Sequence, residues 1–111
     1  MVDVEALAGH RQELRRGTLV VASLAMLHRP GYGYALLAAL TDAGFDVDGN
    51  TLYPLLRRLE AQGFLRSAWN TEETRPRKFY ETTPEGRELL DELVAEWAAL
   101  DLAVRTVTST T

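Results

Sequence analysis

Leu52, Leu55, Leu56 and Leu59 recur at i, i+3, i+4 and i+7 within the stretch from Gly49 to Leu65, a spacing that stacks four apolar side chains on one side of a helix. That side must be buried, so the fold has to bring other elements over it. The opposite side carries Asn50, Tyr53, Pro54 and Arg57, with Thr51 in the same first turn. Asn and Arg present forked hydrogen-bonding groups that match base edges, and Tyr and Arg also reach phosphate oxygens. Gathered near a helix N-terminus, these residue types suit entry into a DNA major groove. An ordinary amphipathic surface helix with arginine on its wet side has the same pattern, so this segment alone leaves both readings standing.

The following residues add a second element. Gly63 supplies a left-handed cap, and Leu65-Arg66-Ser67-Ala68-Trp69-Asn70 reads as a strand. A polar turn over Thr71 to Pro76 returns the chain through Arg77-Lys78-Phe79-Tyr80-Glu81-Thr82, rich in residues that favour strands. The result is a hairpin with Arg75, Arg77 and Lys78 beside its tip. Glu72 and Glu73 at the same tip oppose deep insertion into a minor groove. A helix followed by a basic hairpin predicts a winged helix-turn-helix, so the fold expected is mostly α with a small β-hairpin, an α+β class. Thr83-Pro84-Glu85 then announces a new helix by a capping hydroxyl, a proline at the first helical position and an acid in the first turn, and it runs to about Val107.

Upstream, Arg16 to about His28 reads as a first core helix through Leu19, Leu24 and Leu27, stopped by Pro30-Gly31. A second, from Tyr34 to Ala43, buries Leu36, Leu37 and Leu40 and ends at Gly44. Residues 1–14 hold Val2, Val4, Leu7 and Leu14, a pattern suited to a short extra helix against a partner subunit. Two units are expected: a winged-helix unit over residues 1–83 and a helix over residues 84–111.

Four local patterns, in order and spacing, resemble the PadR-type transcriptional regulators: Gly31-Tyr32-Gly33-Tyr34, the block from Gly49 to Glu60, Pro76-Arg77-Lys78-Phe79-Tyr80, and Thr82-Thr83-Pro84-Glu85-Gly86-Arg87. The single helix after the wing resembles the compact subgroup of that family. The resemblance implies a homodimer on a palindromic double-stranded DNA operator, at its own promoter or that of an adjacent efflux or stress gene, acting as a repressor. Tyr32 just precedes the second helix, where backbone N–H groups and the helix dipole favour a phosphate, and the resemblance also makes it a backbone contact. A tyrosine packed on the core fits the same position.

Leu90, Leu93, Trp97, Leu100, Val104 and Val107 alternate spacings of three and four, the seam of a coiled coil too short to stand alone. Packed against its symmetry mate and the N-terminal helices, it predicts a two-fold dimer. Trp97 is mid-seam. It serves either as the largest dimer-core residue or, as the resemblance implies, as the wall of an interface cavity for a planar aromatic effector, since indole faces stack on such molecules.

Composition agrees. At 111 residues and 46% hydrophobic the chain suits one small domain, and the last helix has no partner layer within it. The net charge of −4 is segregated: Glu85, Glu88, Asp91, Glu92, Glu96 and Asp101 load the last helix, whereas Arg57, Arg58, Arg66, Arg75, Arg77 and Lys78 lie in the reading helix and wing. Fields from charges beyond about 8–10 Å are largely screened, so a local basic surface is enough to hold phosphates. With no cysteine, thiolate catalysis, disulfides and Cys-based metal sites are excluded, in keeping with a reducing cytoplasm. No export signal or membrane span is expected, because Asp3 and Glu5 stand where a signal peptide carries Lys or Arg and the run from Leu19 to Leu27 is too short. His10 and His28 lack a neighbouring carboxylate pair or nucleophile motif, and Gly31-Tyr32-Gly33 lacks the flanks of a nucleotide loop. Neither an enzyme, nor a metal, nor a cofactor is expected. The remaining alternative is a winged-helix module used only for protein contacts, which the polar, cationic free side of the reading helix disfavours.

Overall fold

The structure, a computed structural model, describes residues 1–72 and 74–109, so of the two acids at the hairpin tip Glu73 lies outside the described residues. The elements run α1 Val4–Met26, β1 Gly31–Tyr32, α2 Gly33–Asp42, α3 Gly49–Ala61, β2 Leu65–Asn70, β3 Arg77–Thr82 and α4 Pro84–Thr108. Where sequence spacing suggests two N-terminal helices, there is one. Asp3 caps it by accepting from the Ala6 amide at 3.0 Å, and the helix runs unbroken to Met26. The polar stretch from Arg11 to Arg16 has no apolar period to announce a helix, yet it also holds no proline to stop one.

Two glycines end the helices that frame the turn and the wing. Gly44, with φ of +104°, closes α2, and Gly63, with φ of +85°, closes α3. Each sits in a Schellman motif: Phe45 N–H donates to Leu40 C=O and Phe64 N–H to Leu59 C=O, both at 2.9 Å, while the glycine amides reach Thr41 and Glu60. The two phenylalanines fold back onto the core, the apolar contact that accompanies this cap.

The sheet has three antiparallel strands in the order β1-β3-β2, one more than the hairpin that the sequence suggests. β2 and β3 pair from Leu65↔Thr82 to Asn70↔Arg77, and the two-residue β1 adds Gly31↔Tyr80 and Tyr32↔Phe79. The core beneath is almost wholly leucine: Leu19, Leu24 and Leu27 from the first helix and its end, Leu36 and Leu40 from α2, and Leu52, Leu55, Leu56 and Leu59 from α3, with Leu65 and Tyr80 from the sheet. All four members of the α3 stripe are buried, as their spacing requires.

Thr82 and Thr83 tie three helix ends together. The Thr82 amide donates to Leu27 C=O and its hydroxyl to Leu24 C=O, each at 2.8 Å, satisfying carbonyls that the end of α1 leaves open. The Thr83 hydroxyl donates to Gly63 C=O at 2.7 Å and accepts from the Gly86 amide at 3.0 Å, capping α4 where the chain leaves α3. Pro84 opens α4 and Glu85 stands in its first turn.

The expected seam on α4 divides in two. Leu90 packs with Leu89 against the protein's own core and Leu93 is half-buried, so these two are partly satisfied within the chain. Trp97, Leu100, Val104 and Val107 are each more than half exposed. α1 borders this stretch of α4 from one side only, through Leu14, Gly17, Thr18 and Val21, and leaves an open groove along it. Among the described residues no helix is long and apolar enough to cross a membrane.

Candidate nucleic-acid interface

α3 begins at Asp48, whose carboxylate accepts from the Thr51 amide at 3.0 Å, leaving the side chains of Asn50, Thr51, Pro54 and Arg57 exposed on the free side of the helix. Tyr53 differs from that set. Its ring is half-buried, wedged between the first residues of α2 and α3: a Cβ on Gly33 would lie 2.8 Å from its Cε1, and one on Gly49 2.9 Å from its Cε2. Position 53 borders the leucine stripe, so helical spacing alone places it on neither side. Glycine is needed at 33 and 49 because the aromatic ring fills the space a side chain would take.

The wing is fixed to α3 by a polar cluster. Glu60 accepts from the Ser67 hydroxyl on β2 and pairs with Lys78 Nζ on β3 at 3.3 Å. The Lys78 ammonium also lies 5.3 Å from the centre of the Tyr80 ring. Lys78 is therefore held against α3 and not extended from the wing, a pairing between residues eighteen positions apart that no local pattern signals. The Ser67 hydrogen bond first, and Lys78 second, hold the Glu60 carboxyl below the usual carboxylate range, against the upward push of burial. A depressed folded-state value stabilises the fold above the carboxylate range and loses that stabilisation as pH falls through it. Stability should accordingly decline as pH drops from about 5 toward 3, and Glu60→Gln should flatten that acid limb in urea titrations. An unchanged limb would show that the cluster does not hold the wing.

On the outer side of the sheet, the Asn70 side-chain amide donates to the Tyr32 hydroxyl at 2.7 Å, and Tyr32 meets Phe79 edge-on with ring centres 6.2 Å apart. Tyr32 is half-buried and braces the base of the wing. Its ring stacks on Tyr34 at 5.7 Å, and the Arg77 guanidinium sits 4.8 Å from the Tyr34 ring centre. Arg66 pairs across the strands with Glu81 at 2.9 Å. Arg75 is exposed beside the tip, and among the described residues Arg57 and Arg58 form no ion pair. Tyr34 joins this surface without being marked by helical spacing or charge. The signal available was the second tyrosine of Gly31-Tyr32-Gly33-Tyr34, which lands on the first turn of α2 with half its surface exposed.

α3, the α2 start and the wing thus present one polar, cationic and aromatic surface, the form a duplex backbone and major groove require. The residues expected to form a dimer seam lie elsewhere: Trp97 stands in an apolar groove between α1 and α4 with Thr18 and Val21, and Leu93, Leu100 and Val104 continue it. Among the described residues there is no cluster of His, Cys, Asp and Glu that could hold a metal ion.

Comparison with known proteins gives a consistent result. Residues 23–92 match the Transcriptional regulator PadR-like family. The crystal structure of a PadR family transcriptional regulator from Eggerthella lenta DSM 2243 superposes with a TM-score of 0.91 at 46% identity, covering 96% of each chain. A PadR-like transcriptional regulator from Bacillus cereus gives 0.76 at 26% identity, over 86% of this chain and 96% of that one. In sequence, the Transcriptional regulator Rv3488 of Mycobacterium tuberculosis is 43% identical over 61 residues, which are 55% of this chain and 57% of that protein. The match thus spans little more than half the length of that regulator.

Proposed function

Because this chain belongs to the PadR-like family of DNA-binding transcriptional regulators, we propose that it acts as a homodimeric repressor of its own or an adjacent efflux or stress operon, released from a palindromic operator by a planar aromatic effector. Asn50, Thr51 and Arg57 read bases from the free side of α3, with Pro54 against the groove wall. Tyr32 and Tyr53 support the helix N-termini at the backbone, and Arg75 and Arg77 supply positive charge to phosphates, to which Lys78 adds only what its pair with Glu60 leaves over. α4 forms the dimer through Leu93, Trp97, Leu100 and Val104, with Leu90 anchoring its base, and the effector stacks on Trp97.

The observation that supports this reading is the separation of two surfaces. Polar and cationic side chains gather on α3 and the wing, and exposed apolar ones gather on α4 beside α1. One surface suits an anionic duplex and the other a second copy of the chain.

The test is a mobility-shift titration with DNA from upstream of the gene. Arg57→Ala should cost about 1–3 kcal/mol on that duplex and narrow the gap between it and a scrambled sequence. A panel of planar aromatic compounds should release the parent protein from DNA, whereas Trp97→Ala should bind DNA and no longer respond. Equal affinity of parent and Arg57→Ala on both duplexes would overturn base reading by α3. Trp97→Ala that responds like the parent would overturn the effector site.

A further inference from the structure

We infer that Trp69 is a DNA-contacting residue, its indole packing on the deoxyribose of the strand that crosses between α3 and the wing while neighbouring cations hold the flanking phosphates. This rests on the reading of α3 and the wing as the DNA face.

The register decides which way Trp69 looks. Cross-strand partners share a face of the sheet, and the pairs are Ser67↔Tyr80 and Trp69↔Lys78. Ser67 and Lys78 both bind Glu60 of α3, so their face is the one turned toward that helix. Trp69 continues the same face two residues further out, past the end of the cover that α3 provides, and 61% of its surface stays exposed. Between it and α2 lies an open groove with Tyr53 and Tyr34 along it and Arg75 and Arg77 at its rim. Tyr34 is itself 52% exposed.

Two exposed aromatic rings beside guanidinium groups form a surface with both apolar and cationic parts. A sugar-phosphate strand has the complementary order, since each deoxyribose offers a C–H face between two anionic phosphates. The groove reaches α3 at Tyr53, one residue before Pro54 on the free side of that helix, so a strand leaving α3 toward the wing passes over it. Indole is well suited to this place: it covers a large apolar area with few rotatable bonds, and its N–H remains free to donate to an oxygen.

The chain has two tryptophans, so labelling with 5-fluorotryptophan gives two fluorine resonances, and Trp69→Phe identifies one of them. Adding the gene's own upstream duplex to the labelled full chain should shift the Trp69 resonance, and a scrambled duplex of equal length should shift it too. Trp69→Ala should weaken binding to both duplexes by a similar factor, roughly tenfold, and leave the salt slope unchanged because indole neutralises no phosphate. Trp69→Phe should restore most of the affinity. A Trp69 resonance unmoved by bound duplex, or parental affinity in Trp69→Ala, overturns the assignment while leaving the DNA face intact. A loss confined to the upstream duplex overturns the backbone contact in favour of base reading. Failure of the parent on both duplexes overturns the DNA face and this contact together. Should Trp69→Ala misfold, the resonance shift in the intact chain decides alone.

Discussion

Gly86→Ala should destabilise the protein by about 3 kcal/mol or more, although the change replaces a poor helix former with the best one inside a helix. Propensity alone predicts a gain of about 1 kcal/mol. Packing overrules it. A Cβ at position 86 would lie 2.2 Å from the Phe64 carbonyl oxygen and 2.7 Å from the Thr82 methyl. The oxygen belongs to a backbone group that already accepts from the Thr83 amide at 3.1 Å, so it cannot rotate aside as a side chain would. Relief requires α4 to lift from the end of α3, which breaks the Thr83 cap and the Thr82 bonds to α1 as well. Urea unfolding of the two proteins measures the difference, and a loss under about 1 kcal/mol would show that the junction yields more easily than its geometry indicates.

That junction also marks how far the sequence could be read. Thr83-Pro84-Glu85 announces the start of α4 because capping is local chemistry, confined to four consecutive residues. The α3 stripe is legible for the same reason, its leucines answering to one helical period. The need for glycine at 86 is not local: it arises from Phe64 and Thr82, which the turn of the chain brings alongside. β1 escapes notice because two residues carry no alternation, and the single α1 escapes because a polar stretch conceals its continuity. Of the nine side chains singled out for DNA, the exposed ones on α3 are placed by periodicity alone. Tyr32, Tyr53, Arg77 and Lys78 are placed instead by contacts with other elements: Tyr32 with Asn70 and Phe79, Tyr53 with Gly33, Arg77 with Tyr34, and Lys78 with Glu60.

The second large effect concerns assembly. Leu93→Asp combined with Leu100→Asp should convert the proposed dimer to monomers, seen as a halved mass in sedimentation. Leu93 is half-buried between α1 and α4 while Leu100 is 55% exposed, so the first change reaches the groove wall and the second the surface a partner would cover. Unpaired charges in a desolvated contact cost several kcal/mol, enough to dissociate a small interface. Monomers should then lose paired half-sites one helical turn apart, about 34–36 Å, and retain only weak, salt-sensitive binding. An intact dimer in the double variant would place the contact elsewhere. Leu100→Asp alone separates the alternatives if Leu93→Asp disturbs the fold, because position 100 contributes little to the chain's own core.

The unbroken α1 ties the leucine core and the groove beside α4 to one rigid element. Its 23 residues form a rod roughly 34 Å long. From its C-terminal half Leu19, Leu24 and the Thr82 bonds embed it beneath the sheet and α3, and from an overlapping stretch Leu14, Gly17 and Val21 border the groove that holds Trp97. Two shorter helices with a joint between them would let the groove widen while the core stayed still. A stiff rod does not: a tilt of about 5° displaces one end relative to the other by roughly 3 Å, close to the rise of one base pair along DNA. In the proposed dimer, angular play at α1 would thus move the groove and the core together, and with them the spacing of the two α3 helices.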